Sequence, residues 1–268
     1  MKRWWLGLVC IVLLLPLYFL LKGSFESAVG LIKMPPSLLL RGATLKNYRD
    51  LINGCALFVR WVVNTAGLVA GVGCGAAMVT MLAGYAFAQK PPGHMVMFWA
   101  VVASAVIPGL VLVIPRFITL VVLHVPMGLT AALLPLLYSP IIVLMARAWV
   151  LQIGREYVEQ ARLEGTSELG IVLRIIMPMS TPIIGMVVIF QGIGALGDYM
   201  WQSMVLRWPE QQTVLVGMME FMSWYSAPGQ PNPQGMRMAM GVVLMIPMVA
   251  VFTVGHRWFV GEGKGLEW

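Results

Sequence analysis

The side chains best suited to chemistry or binding are concentrated in one charged stretch, EQARLEGTSELGIVLRIIMPMSTP, which runs from Glu159 to Pro182. Its charged residues surround one glycine, Gly165, and they are Glu159, Arg162, Glu164, Glu168 and Arg174. On either side, apolar runs of about twenty residues, the length that crosses a bilayer, carry hardly a charge. A polar insertion in so apolar a chain indicates a surface that projects into water.

A second group of polar residues lies within or beside the apolar runs. Asp198 is predicted well inside the fifth run, where an ionisable group costs about 2.5–3.5 kcal/mol, so it should face the bundle interior or a wet cavity. It could line a solute path beside Tyr199 and Trp201, or it could simply bond a neighbouring helix or a partner subunit. Gln191, seven residues earlier, suits the same interior face, and Asn64 has the same two interpretations.

The remaining reactive side chains give no sign of catalysis, a metal or a cofactor. The histidines and cysteines are scattered, and they are His94, His124, His256, Cys10, Cys55 and Cys74. The sequence contains no GxxxxGK[ST] loop, no HExxH motif and no Ser/His/Asp constellation. We therefore expect that the chain is not an enzyme and that it cannot hydrolyse ATP itself. The lack of these motifs argues against an integral-membrane enzyme.

Composition indicates a membrane protein. Of 268 residues, 59% are hydrophobic and only 11% are charged, and the mean hydropathy is +0.84. A soluble domain carries roughly 25% charged residues. The net charge of +7 is spread over single basic residues, which suits lipid headgroups and predicts no binding to nucleic acid.

Six apolar runs reach the length of a membrane span, about 20 residues. The chain is therefore predicted to be one all-α transmembrane domain over residues 1–268, with spans at about 4–21, 64–87, 95–114, 130–150, 183–204 and 238–259. The first run resembles a signal peptide, but it is long and lacks a small-residue cleavage site, so we expect it to be retained. The polar segment 22–63 should form one or two short helices at a membrane face, and the polar segment 207–237 contains a Pro- and Gly-rich loop.

Charge does not decide the orientation of these spans, because the 18 Lys and Arg residues divide evenly between the two sides that six spans define. Small residues at Gly67, Gly71 and Gly75 predict close helix packing in the second span. Prolines predict kinks in the third and fourth spans, and they are Pro108, Pro115, Pro135 and Pro140.

The charged stretch itself is predicted to form a helix–Gly–helix elbow over 155–178. Arg155–Leu163 forms the first helix, and Gly165 closes it in a left-handed conformation. Thr166 or Ser167 caps the second helix, which continues to Pro178.

These residues resemble the EAA loop of ABC-importer permeases: Glu159, Ala161, Gly165 and Pro178 fall on its pattern, although Gln160 replaces an alanine. The segments KNYRDLI, RWVVNTAGLV and AGYAFAQ are similar to the carbohydrate-uptake (maltose-type) permeases. LGDYMW keeps only part of that branch's Trp-Asn-Asp-Phe-x-Trp-Pro element, and the tail is shorter than usual.

The resemblance implies that the elbow sits in a cleft of a cytoplasmic ATP-binding subunit. The residues that would couple to it are Glu159, Ala161, Arg162, Glu164 and Gly165. It also implies an inner-membrane permease with both termini in the cytoplasm, a second permease subunit that makes a heterodimer, two ATP-binding subunits and an extracytoplasmic solute-binding protein. The expected cargo is a sugar or another polar solute. A permease of this fold for a different solute class, or a membrane enzyme or assembly factor, is the alternative.

Overall fold

The computed structural model describes residues 2–27, 38–40, 42–54, 56–225 and 233–260, and no β-strand occurs among them. In chain order the helices are α1 (Lys2–Ser24), α2 (Lys46–Gly54), α3 (Phe58–Ala88), α4 (His94–Val106), α5 (Val113–Val122), α6 (Leu129–Leu133), α7 (Pro140–Val150), α8 (Arg155–Leu163), α9 (Glu168–Met179), α10 (Thr181–Gly197), α11 (Tyr199–Val205), α12 (Val214–Tyr225) and α13 (Pro233–Val260). Short 3-10 turns are Gly109–Leu112 before α5, Leu134–Leu137 after α6 and Pro209–Gln211 before α12.

Several of these helices have the length and composition of membrane spans. Within the described residues, α1, α3 and α13 are each long and apolar enough on their own. Three further pairs are long and apolar enough only when their two helices are taken together: α4 with α5, α6 with α7, and α9 with α10. The two helices of each pair meet at bends of 103°, 48° and 85°, respectively. Counting each bent pair as one span raises the number to six. The protein is an all-α, multi-pass membrane protein.

Prolines explain two of the bends. Ile107 before Pro108 and Ser139 before Pro140 both have extended backbone conformations, because a proline ring disfavours the helical conformation in the residue that precedes it. The kink predicted at Pro108 is therefore present in the span predicted over 95–114, and the change of direction is large. The chain leaves α4, turns by 103° and continues as α5.

Helix α3 is the central element of the bundle. At 1.5 Å per residue its 31 residues extend about 46 Å, more than the hydrocarbon thickness of a bilayer, about 30 Å. Its buried side chains join three apolar clusters in order along its length. The first includes Trp61 and packs on α12 and α13, the second includes Leu68 and packs on α6 and α11, and the third packs on α7, α8 and α9. That third cluster holds the charged stretch in place.

The small residues of α3 do allow close packing, and the neighbour lies within the same chain. A Cβ on Gly71 would lie 2.6 Å from Leu133 Cδ1, and a Cβ on Gly75 would lie 2.6 Å from Leu137 Cδ2. Gly67 has no heavy atom within 4 Å of such a Cβ. Two of the three predicted glycines therefore pack against the α6 segment.

A buried polar cluster fastens the end of α1 to α2. Lys22 Nζ lies 2.7 Å from Glu26 Oε2, and both side chains are almost wholly buried. Asn47 Nδ2 donates to the carbonyl oxygens of Ser24, at 2.9 Å, and Glu26, at 3.0 Å. Within the predicted polar segment 22–63, α1 ends at Ser24, α2 lies entirely inside the segment, and α3 already begins at Phe58. Residues 28–37, 41 and 55 lie outside the described residues, as do residues 226–232 of the predicted loop.

Candidate functional site

Helices α8 and α9 meet at a turn built on Gly165. Its φ is +78°, in the left-handed region that glycine adopts without a steric cost. The Gly165 N–H donates to the Arg162 carbonyl at 3.0 Å, and the Thr166 N–H donates to the Ala161 carbonyl at 2.9 Å. These two bonds form a Schellman motif, which satisfies carbonyl groups at the end of a helix. The backbone itself therefore favours glycine here.

The start of α9 is capped by Ser167. Its Oγ accepts the Gly170 N–H at 3.2 Å, and Glu168 follows in the first turn, where the helix dipole favours a carboxylate. Farther along, Val172–Ile176 forms a π-helical turn. The segment is thus two helices joined at a left-handed glycine, and its two faces have different surroundings.

The inner face of α8 is apolar and buried, whereas its outer face is charged. Val158 and Ala161 are 6% and 5% exposed and belong to the third apolar cluster. Glu159, Glu164 and Leu163 point outward, and Leu163 is 89% exposed. Of the residues predicted to contact a partner, Glu159, Glu164 and Gly165 lie on the exposed side, while Ala161 anchors the segment.

Arg162 joins α8 to both α9 and α3. Its Nε donates to Glu168 Oε1 at 2.7 Å and its Nη2 donates to Glu168 Oε2 at 3.1 Å. The same Nη2 also lies 3.3 Å from Tyr85 Oη and 3.1 Å from Gln89 Oε1. The Tyr85 hydroxyl donates to Glu168 Oε2 at 2.5 Å. We call Tyr85, Gln89, Arg162 and Glu168 the Arg162 cluster.

The charges of this cluster stabilise each other. Glu168 lies at the exposed end of α9, and hydrogen bonds from Arg162 and then from Tyr85 lower the pKa of its carboxyl below the usual range. The hydrogen bond to Glu168 likewise raises the pKa of the Arg162 guanidinium. Both groups are therefore charged at neutral pH.

The sequence analysis identified Arg162 but missed its partners Tyr85 and Gln89. A usable signal was present, since these two polar residues lie four positions apart in AGYAFAQ, at the end of an otherwise apolar helix. Residues four apart share one helix face. Two polar side chains on one face at a helix end indicate a polar neighbour, although the sequence does not say which.

A pocket of about 380 Å³ lies beside the cluster, between the ends of α3, α7 and α8. Its charged lining residues are Lys90, Arg155, Glu159 and Arg162. Lys90 has a φ of 51°, which is uncommon for a residue other than glycine. Glu159, which was predicted to contact a partner, therefore lines the same pocket as Gln89 and Arg162 of the Arg162 cluster.

Two residues predicted to line a solute path bond backbone carbonyls at helix contacts. Asn64 Nδ2 donates to the carbonyls of Glu210 and Gln212, each at 2.9 Å. Gln191 Nε2 donates to the Leu136 carbonyl at 2.6 Å. Each amide therefore has a structural partner, and the two lie at different helix contacts.

Asp198 lies at a helix break rather than at the centre of a helix. Helix α10 ends at Gly197, and the Asp198 side chain accepts the Trp201 N–H at 3.2 Å, so that it caps α11. The single helix expected over 183–204 is therefore wrong at this point. The reason is local: an aspartate side chain can satisfy free N–H groups at the start of a new helix.

The other two residues proposed for the path lie at the start of α11. Tyr199 is 43% exposed, whereas Trp201 is 1% exposed and donates its Nε1–H to the Ala131 carbonyl at 3.2 Å. The structure thus brings Asp198, Tyr199 and Trp201 together along the chain, but only Tyr199 and part of Asp198 face outward.

Gln202 is a buried polar residue that the sequence analysis missed. It is fully buried, its Nε2 donates to the Ala195 carbonyl at 2.5 Å, and its Oε1 accepts the Thr213 hydroxyl at 2.6 Å. Its signal was a glutamine inside an apolar run, the same signal that singled out Gln191. These bonds hold α11 against the end of α10 and the segment before α12.

Bent apolar helices packed around one long helix, with a charged glycine turn at one end, define a polytopic membrane protein. The chain belongs to the family described as the binding-protein-dependent transport system inner membrane component, whose sequence model matches residues 71–261. It is accordingly a transport subunit of an ABC importer and not an enzyme.

Two named relatives align with nearly the whole of this chain. The arabinooligosaccharides transport system permease protein AraQ of Bacillus subtilis is 26% identical over 256 residues, which cover 94% of this chain and 89% of the relative. The sn-glycerol-3-phosphate transport system permease protein UgpE of Brucella abortus is 24% identical over 263 residues, 96% of this chain and 91% of the relative.

Solved structures show the same fold. A bacterial ABC transporter involved in the import of the acidic polysaccharide alginate matches with a TM-score of 0.79 at 17% identity, over 96% of this chain and 95% of that one. The MetNI methionine ABC transporter in an inward-facing conformation matches with a TM-score of 0.55 at 21% identity, over 76% of this chain and 95% of that one.

Proposed function

We propose that this chain forms half of the translocation pathway of an ATP-driven importer for a sugar or a similar polar solute. Family membership carries the transport role. The cargo rests on relatives named for arabinooligosaccharides. Relatives named for sn-glycerol-3-phosphate favour a second candidate, a permease of the same fold for a phosphorylated polyol.

The observation that carries the coupling role is the two-sided character of α8. Its inner face is buried at Val158 and Ala161, whereas Glu159, Leu163 and Glu164 remain exposed beside the Gly165 turn. A partner bound to the exposed face of α8 can move the rest of the bundle, because the buried face of α8 is packed against the helices of the third apolar cluster. We assign the exposed face to a cytoplasmic ATP-binding subunit.

The complete importer would contain this chain, a second permease subunit as a heterodimer, two ATP-binding subunits and an extracytoplasmic solute-binding protein. Six spans, with each bent helix pair crossing once, would place both termini in the cytoplasm together with the Gly165 turn. ATP binding would draw the two turns together and exchange inward-open and outward-open states through contacts that differ between them.

The test begins with the complex isolated from native membranes through a tag on this chain. Mass spectrometry should identify a second permease and an ATPase that carries a phosphate-binding loop. The complex is then reconstituted in vesicles that contain Mg-ATP. The solute-binding protein from the same cells is added outside the vesicles.

Labelled arabinotriose and labelled sn-glycerol 3-phosphate serve as the two probes. ATP-dependent uptake of arabinotriose supports the sugar assignment, and uptake of sn-glycerol 3-phosphate alone supports the second candidate. If no ATPase copurifies with the chain, the proposed coupling role is wrong.

A further inference from the structure

The Arg162 cluster connects three elements that meet at the Gly165 turn, and the inference drawn from it rests on the proposed function. Arg162 lies three residues before Gly165 and Glu168 lies three residues after it, so their ion pair spans the turn. Tyr85 and Gln89 belong to the end of α3 and bond the same guanidinium and carboxylate. One set of hydrogen bonds thus holds α8, α9 and α3 together.

We propose that Tyr85 and Glu168 are positioning residues which, with Arg162 and Gln89, clamp both arms of the Gly165 turn to the end of α3. The turn and α3 then move as one rigid body when an ATP-binding subunit pushes on the turn.

Such a clamp matters because no side chain braces the turn at Gly165 itself. Gly165 has no side chain, and a Cβ there would meet no heavy atom within 4 Å. Glycine also has more conformational freedom than any other residue. Without the Arg162 cluster, a push on the turn could be absorbed as a movement of α8 and α9 relative to the end of α3. The Arg162–Glu168 pair closes the turn on the side that faces α3.

Helix α3 is the right element to receive the movement. Its N-terminal part contacts the opposite end of the bundle, where Trp61 Nε1 donates to the Pro209 carbonyl at 2.7 Å and Asn64 bonds the carbonyls of Glu210 and Gln212. A single helix therefore has polar fastenings at both ends, the Arg162 cluster at one and Asn64 with Trp61 at the other. Movement at the turn reaches the far side without crossing a flexible loop.

The expected strength of the clamp is moderate. The Arg162 and Glu168 side chains are 41% and 59% exposed, and an isolated ion pair at such a site contributes little. Here, however, the pair is bidentate, and the Tyr85 hydroxyl shares the same carboxylate, so the bonds act as a network. Removing one member should raise the unclamped fraction by about fivefold, the upper range for exposed pairs.

The experiment measures the distance between spin labels on α9 and α3 in the complete complex. The three native cysteines are replaced by serine, and cysteines for labelling are placed at Leu169 and Ala86, both exposed. Distances are recorded without nucleotide and after trapping with Mg-ATP and vanadate. The parent complex should show one narrow distance that does not change on trapping.

Two variants remove the clamp with little change in shape. Tyr85→Phe removes one hydroxyl, and Glu168→Gln removes one charge. Each should broaden the distance distribution or add a second distance, and the double variant should be no worse than the stronger single one, because both act on one network. The control variants Tyr138→Phe and Glu210→Gln remove matched groups elsewhere and should keep the narrow distance.

Complex yield and ATP hydrolysis are measured for every variant, because a merely structural role would lower yield without changing the distance in the complexes that form. A parent distance that shifts on trapping, or variants that keep the narrow distance, would overturn the inference. A parent complex that traps no nucleotide would count against the proposed function instead, and the nucleotide-free distances would still test the clamp.

Discussion

At the scale of single residues, Asp198 shows how the end of a helix changes the role of a charge. At the centre of a membrane helix this carboxylate would be costly, but at the start of α11 it accepts the Trp201 N–H and part of it reaches the surface of the fold. The side chain thus has a structural partner whatever else it does. A test of its role in the solute path must therefore preserve the cap.

Asp198→Asn meets this requirement. Asparagine caps a helix about as well as aspartate does, so the amount of assembled complex and its basal ATP hydrolysis should stay at the parent level. If the charge faces the solute, uptake of the probe should fall severalfold. Asp198→Ala, which loses the cap at a cost of about 1 kcal/mol, should lower assembly as well. Lost assembly in both variants would show a purely structural role.

Gly165 is the residue at which backbone conformation and partner contact can be separated. Gly165→Val places a β-branched residue at a φ of +78°, which costs about 1–3 kcal/mol. The apolar helices are not involved, so the protein should insert at normal levels. We expect weaker retention of the ATPase subunit on purification or less uptake per ATP hydrolysed, with Gly165→Ala milder.

Gly165→Asn is the matched control for that prediction, because asparagine tolerates the left-handed conformation. If the backbone is what matters, the asparagine variant should couple nearly as well as the parent. If it fails as badly as valine, the space around the turn is needed by the partner. Parent-level uptake per ATP in the valine variant would show that the turn does not couple.

At the scale of helices, α3 and α7 approach each other closely near the site, and this contact allows a test of packing. A Cβ on Gly84 would lie 2.8 Å from Ala146 Cβ and 3.0 Å from the backbone at Ala146 and Arg147. Backbone cannot rotate away as a side chain can, so α7 would have to move. Both helices contribute to the apolar cluster that anchors α8.

Gly84→Ala should therefore destabilise the protein by about 1–3 kcal/mol, the usual cost of overpacking. Gly67→Ala is the matched control on the same helix, since its Cβ would meet nothing within 4 Å. That control should be neutral or slightly stabilising, because alanine favours helix more than glycine does. Thermal unfolding of the purified protein in detergent measures both, and equal losses would rule out the steric explanation.

The sequence predicts the positions of helices better than the contacts between them. The start and end of α8 follow from local signals, Gly165 after the helix and the charges within it. The break at Pro108 was foreseen only as a kink, because a proline tells where a helix weakens but not how far the chain turns. The pairing of Tyr85 with Glu168 joins residues 83 positions apart, and no local pattern determines such a contact. The break at Asp198 was missed because apolar composition continues across it.

At the scale of the whole molecule, the two ends of α3 should lie on opposite sides of the membrane. The Arg162 cluster sits at its C-terminal end, and Glu210 lies near its N-terminal end, where its carbonyl accepts a bond from Asn64. The helix length of about 46 Å at 1.5 Å per residue exceeds the hydrocarbon core. This geometry gives a test of orientation that the even distribution of basic residues could not provide.

Single cysteines at Ser167 and Glu210, in a chain whose native cysteines are replaced by serine, make that test. Both positions are exposed, so a membrane-impermeant maleimide should reach each from its own side. We expect Ser167→Cys to be labelled in inside-out vesicles and Glu210→Cys in right-side-out vesicles, because the Gly165 turn is proposed to face the cytoplasmic ATP-binding subunit. Permeabilised vesicles, in which both must react, control for hidden sites. Labelling of both from one side would contradict the six-span arrangement, and the reverse pattern would place the turn outside, where no ATP-driven partner could reach it.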